Sequence, residues 1–154
     1  MPGLNRWEEP ERFCIGSSPY LLLELPDAPW HSRMIDEIYD LMARCDVIPM
    51  FAHLERYFRS QKTDYLRELM HMGVPVQISA QPMLRTMDRF GLLRKIKGNP
   101  NCLLISDCHN DTVRPPNLGP GMAELKKRLA PEQFDRMQAN ARDIFSRAVG
   151  EGEM

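Results

Sequence analysis

Four short apolar runs, alternating with longer amphipathic stretches, constrain this chain more than any other feature. The runs cover residues 20–25, 47–52, 74–79 and 102–106. Their length, their aliphatic character and the Pro or Gly residues beside them predict strands buried on both faces. Pro49 is an awkward member of the second run, because proline has no N–H to donate. Between the runs, Met34, Ile35, Ile38, Tyr39, Leu41 and Met42 recur at helical spacing, which predicts a helix over Ser32–Arg44 with Ser32 as its N-cap. Thr63 is expected to cap a helix reaching residue 72, closed by Gly73. A third helix is expected over residues 83–97, ending near Gly98. A polar loop over residues 107–120 then leads to helices over 121–129 and 131–149, the second with Pro131 in its first turn. Strand–helix repeats of this kind predict parallel βα units, hence an α/β fold with about four parallel strands.

The chain's 154 residues suit one domain, expected over residues 19–149, with 1–18 and 150–154 loosely held. Hydrophobic residues at 43% and charged residues at 27% are globular proportions. A formal net charge of −1 gives no electrostatic reason to expect a nucleic-acid or anionic-membrane partner. No apolar stretch is long enough to cross a bilayer, and no secretory leader is apparent. The expected location is therefore the cytoplasm. Cys14, Cys45, Cys102 and Cys108 follow no zinc-ribbon or CxxC spacing and are expected to be reduced thiols.

Polar residues collect after the runs. Glu24 closes the first; His53, Glu55 and Arg56 follow the second; Asp107, His109 and Arg114 follow the fourth. In parallel α/β folds the C-terminal strand ends face the functional site. Carboxylate and imidazole together suit manganese, zinc or iron, and arginine forks suit phosphate. Each residue also has an ordinary structural reading. Glu24 could bind nearby amides, a single His after a strand could be structural, and Asp-x-His alone is a modest signal. Glu55 is expected to orient Arg56 or another neighbour. Cys108 and Arg114 match the bare Cys-x5-Arg spacing of thiol-dependent phosphatases, but the segment lacks glycine and Asp111 would repel a phosphate dianion. Gly119-Pro-Gly121 is a turn and lacks the lysine of a nucleotide loop, and Lys126-Lys127-Arg128 reads as a solvated helix face. Trp7 and Trp30 fall in loop segments and carry no assigned role.

Tyr-Leu-Leu-Leu-Glu-Leu-Pro (20–26), Phe-Ala-His-Leu-Glu-Arg-Tyr (51–57) and Ser-Asp-Cys-His-Asn (106–110) followed by Arg114 occur in this order. They resemble the later motifs of the polymerase-and-histidinol-phosphatase (PHP) type tyrosine phosphatases that accompany bacterial capsule and exopolysaccharide synthesis. The resemblance covers residues 13–120 and includes the strand around Gln77-Ile-Ser-Ala. It implies part of a distorted TIM-like βα barrel. It also implies metal ligands at Glu24, His53, Asp107 and His109, phosphate-binding arginines at Arg56 and Arg114, and divalent metal, commonly manganese, with zinc or iron possible. The implied reaction is attack of a metal-bound hydroxide on phosphotyrosine in protein, with a polysaccharide-synthesis tyrosine kinase as a candidate partner.

The chain departs from that pattern in places. It contains no His-x-His, the motif that opens the family, and Leu54 and Cys108 stand where proline and a small residue are usual. The resemblance therefore reads as N-terminally incomplete. This leads to three expectations: an exposed apolar edge at the first strand, completion by a second copy or a missing half, or a catalytically silent remnant that binds a partner.

Overall fold

Four strands, each of four residues, lie in one parallel sheet in chain order: β1 (Tyr20–Leu23), β2 (Ile48–Phe51), β3 (Val76–Ser79) and β4 (Cys102–Ile105). The computed structural model describes residues 3–4, 7–113 and 115–150. Six helices accompany the sheet among these residues: α1 (Ser32–Arg44), α2 (Thr63–His71), α3 (Gln81–Leu84), α4 (Thr86–Ile96), α5 (Leu118–Lys126) and α6 (Pro131–Val149). Two 3-10 segments, Pro10–Phe13 and Leu54–Arg59, complete the described elements. The class is α/β as the alternation predicted, and a parallel sheet in order β1-β2-β3-β4 is consistent with a partial βα barrel.

Pro49 shapes this sheet. The Ile48 N–H donates to Pro19 O and the Ala52 N–H to Leu23 O, so even-numbered residues of β2 bond towards β1. Phe51 turns the other way and donates to Pro75 O. Pro49 shares the side of Phe51 and has no hydrogen to give. Accordingly β2 pairs with β3 only at Phe51–Val76, whereas β1–β2 and β3–β4 each pair at four positions.

One sheet face packs on the helical layer. Leu21, Leu23, Phe51, Val76 and Ile78 meet Ile35, Ile38 and Leu41 of α1, Leu66 and Leu69 of α2, and Ile96 of α4 in one buried cluster. On the other face, Tyr20, Met50 and Leu103 form a smaller cluster under Ile144 of α6. β1 is an edge strand, but the exposed apolar edge expected there is not found in its side chains. Leu21, Leu23 and Leu25 are buried, and only Leu22 is substantially exposed. Their alternation turns them into the helical layer, and Cys14 bridges Leu21 across the open side. Residues before β1 also reach α6: the Ser17 N–H donates to Ala148 O at 3.2 Å and its hydroxyl to Arg147 O at 3.1 Å. Gly16 permits this closure. Its φ is +55°, and a Cβ there would stand 1.9 Å from the Ala148 carbonyl oxygen.

Several boundaries differ from expectation. Ser32 and Thr63 do not cap; each is the first helical residue, and His31 and Lys62 take the cap positions without a side-chain bond. Tyr39, placed on the apolar face of α1 by its spacing, is 44% exposed. The single helix expected over residues 83–97 is two. Pro82 suits a first turn, so α3 starts at Gln81, and Arg85 then breaks the path with extended backbone angles. α5 begins at Leu118, earlier than expected. Where α5 meets the end of β3, a Cβ on Gly121 would lie 2.6 Å from the Ala80 Cβ and 3.3 Å from Leu104 Cδ2. Gly121→Ala is therefore expected to destabilise the fold by about 1–3 kcal/mol, because the Ala80 Cβ cannot retreat without moving backbone. Urea unfolding checks this; an unaltered midpoint would show that the two elements have slack between them.

Candidate functional site

The C-terminal ends of β1, β2 and β4 bring five of the six predicted residues together. Glu24 lies one residue beyond β1, and its Oε1 is 3.1 Å from Nε2 of His53. Arg56 follows in the 3-10 segment after β2. Its Nη1 is 3.3 Å from His53 Nε2 and 3.9 Å from Glu24 Oε1, and its Nη2 pairs with Asp107. Asp107 in turn stands 3.3 Å from Nε2 of His109 through Oδ1. Glu24, His53, Arg56, Asp107 and His109 thus form one connected run across three strand ends. Arg114, the sixth, lies outside the described residues.

The backbone beneath two of these residues is unusual. His53 has φ +31° and Asp107 φ +50°, and among the described residues the only other non-glycine with positive φ is Glu9. Such conformations cost about 1–3 kcal/mol each and persist where the surroundings enforce them, commonly at functional sites. Around His53 the surroundings are clear. Leu54 and Tyr57 are buried, the Arg56 N–H donates back to the His53 carbonyl, and the Tyr57 hydroxyl donates to the Leu25 carbonyl beside Glu24. Burial, reinforced by the charge of Glu24, raises the Tyr57 phenol above its ordinary pKa, so the ring keeps its donor proton. Trp30 packs against Tyr57 at 4.9 Å between centroids and donates its indole N–H to Pro26 O. This gives Trp30 the role that the sequence left blank. Glu55 accepts the Ser79 N–H at 3.1 Å and ties the segment to the end of β3. The sequence signal for Tyr57 was present, since it ends the His53–Arg56 motif; the one for Trp30 was not.

His53 Nε2 faces both Glu24 and Arg56, and its buried Nδ1 has no hydrogen-bond partner among the described residues. Two carboxylates, Glu24 and Asp107, face the guanidinium of Arg56. The donor set therefore fits a divalent cation in kind, as two carboxylate–imidazole pairs. It does not form a full cage. Among the described residues no three His, Cys, Asp or Glu side chains converge as a metal cluster, and the Arg56 guanidinium stands between the pairs. Each pair could supply two ligands and leave the rest of an ion's sphere to water and phosphate oxygens.

Of the thiols, Cys102 is fully buried and its pKa is pushed up to about 12 by desolvation, so it is inert at neutral pH. Cys108 is exposed, and its sulfur lies 3.5 Å from the Asn110 carbonyl oxygen.

A family model described as capsular polysaccharide synthesis, CpsB/CapC, matches residues 4–146. No curated protein matches the chain.

Proposed function

Because the chain belongs to the CpsB/CapC family of capsular polysaccharide synthesis, we propose that its strand-end rim is a metal-dependent phosphoesterase site acting on phosphotyrosine in protein. The observation that carries this reading is the connected run from Glu24 through His53, Arg56 and Asp107 to His109. Three separate strand ends converge there, with strained backbone at two of the residues.

In this reading Glu24 and His53 hold divalent metal from one side and Asp107 and His109 from the other. Manganese is the first choice from the family resemblance, and zinc or iron suits the same donors. Bound metal would neutralise phosphate charge and lower the pKa of water. Arg56 and Arg114 bind the phosphoryl oxygens, because a planar fork matches two oxygens at once. Tyr57 and Trp30 hold the segment bearing His53 and Arg56 in place. A second copy of the chain, or further chain, would add ligands to the open pairs. The natural substrate would be a tyrosine-phosphorylated protein of polysaccharide synthesis in the cytoplasm, its tyrosine kinase being the first candidate. No helix among the described residues is long and apolar enough to cross a membrane.

Metal analysis of the purified chain, combined with hydrolysis of a phosphotyrosine peptide with and without chelator, tests the reading. Chelator-sensitive turnover is expected, and it should survive Cys108→Ala. Loss of turnover in Cys108→Ala with indifference to chelator would instead establish thiol chemistry. The separation of the ligand pairs by Arg56 favours a second reading, a module that binds phosphotyrosine without turnover. A metal-free, inactive chain that still binds a phosphotyrosine peptide would establish that one.

A further inference from the structure

Between the rim and the α3–α4 junction lies an open cleft of about 290 Å³ that the phosphoryl-binding reading leaves unused. Arg56 and Asp107 form its wall towards the rim, and Ser79, Arg85, Val113 and Asn117 line much of the remainder. Three features distinguish it from a dent in the surface. Arg85 is exposed, and its guanidinium has no charged or hydrogen-bonded partner among the described residues. Ser79 and Asn117 are 6% and 8% exposed, yet Ser79 Oγ and Asn117 Oδ1 have no hydrogen-bond partner among the described residues. Buried polar atoms of this kind are normally satisfied by protein, water or ligand. Finally, the extended backbone of Arg85, with φ −106° and ψ 123°, interrupts the path between α3 and α4 beside the cleft.

We infer that this cleft receives the residue next to the phosphorylated one, and that Arg85 is a specificity-determining residue for an acidic side chain there. The inference rests on the phosphotyrosine reading of the rim. With a phosphoryl group on Arg56, the adjoining part of a bound peptide runs along the wall that Arg56 shares with the cleft. The other charges are already engaged. Arg56 faces Asp107 and Glu24, and Glu55 accepts the Ser79 N–H. Among the described lining residues Arg85 is the cation open to a ligand, and its fork pairs with a carboxylate through two parallel bonds. The cleft's volume suits one or two side chains.

Fluorescence anisotropy with the full chain and manganese tests this without turnover. The probes are labelled peptides carrying a non-hydrolysable phosphonate analogue of phosphotyrosine, flanked on both sides by Asp and Glu or by Asn and Gln. A third peptide keeps the acidic flanks and replaces the analogue with phenylalanine. The acidic phosphonate peptide is expected to bind roughly tenfold more tightly than the neutral one, as one charge-assisted pair supplies. Arg85→Ala should abolish that preference, and Arg85→Glu should transfer it to a lysine-flanked peptide. No preference in the native chain, or a preference that persists in Arg85→Ala, overturns the inference. Failure of the rim reading looks different: the phenylalanine peptide then binds as tightly as its phosphonate counterpart. Absence of binding by every peptide overturns both.

Discussion

Replacing Arg56 with alanine is expected to lower turnover of a phosphotyrosine peptide on the order of 1,000-fold, the scale set by arginines that neutralise charge in phosphoryl transfer. The same substitution is expected to tighten manganese binding. The Arg56 guanidinium occupies the space between the carboxylates of Glu24 and Asp107, where it already supplies positive charge. Removing it leaves two carboxylates and two imidazoles with a greater demand for a cation. The two readouts should therefore move in opposite directions, which a merely structural arginine would not produce. Arg56→Lys keeps the charge but loses the fork, so it should recover metal affinity towards the native value and little of the turnover. Isothermal titration with manganese and steady-state kinetics measure the pair of effects. If metal affinity and turnover fall together in Arg56→Ala, the residue is holding the ligands in place and the phosphate-binding assignment is wrong.

The second large effect concerns the sheet. Phe51→Ala is expected to cost about 3–5 kcal/mol, a large part of the roughly 5–15 kcal/mol that holds a domain folded. Phe51 is fully buried, belongs to the main cluster, and sits at the single position where β2 pairs with β3. Because Pro49 cannot support that seam, the ring of Phe51 and the strand ends it packs between carry it. His53 and Arg56 follow directly, so loosening the seam should also disorder the rim. Urea unfolding should show a markedly lower midpoint. Phe145→Ala, at a ring 64% exposed on α6, should change stability by less than about 0.5 kcal/mol and serves as the comparison. Equal losses in the two variants would mean that the strand seam does not organise the core.

Most of the fold was legible in the sequence, for reasons visible in single elements. α1 runs over Ser32–Arg44 and α6 over Pro131–Val149, as spacing and Pro131 predicted. A long amphipathic repeat buries one stripe whatever it packs against, so its period survives into the tertiary structure. The short strands were located to within two residues for the same reason. The cap residues and the α3–α4 break were not legible. Which hydroxyl caps a helix depends on how the chain arrives, and the arrival at α1 is set by Trp30, whose N–H is held by Gln61 from a distant segment. Arg85 lies in a pattern that reads as continuous helix, and only its packing context separates α3 from α4.

The site divides along the same line. By itself the sequence determined which residues follow the strand ends, and parallel βα alternation obliges those ends to share one rim. Glu24, His53, Arg56, Asp107 and His109 could therefore be named before their contacts were known. Tertiary structure alone decided that Arg56 stands between the carboxylates, that His53 and Asp107 take strained backbone, and that Arg85, Ser79 and Asn117 line one cleft. These are distances between segments remote in the chain, and they depend on how the sheet seats its helices. Local periodicity encodes which face of an element is buried; the separation of two side chains across a rim is fixed only when the whole core has packed.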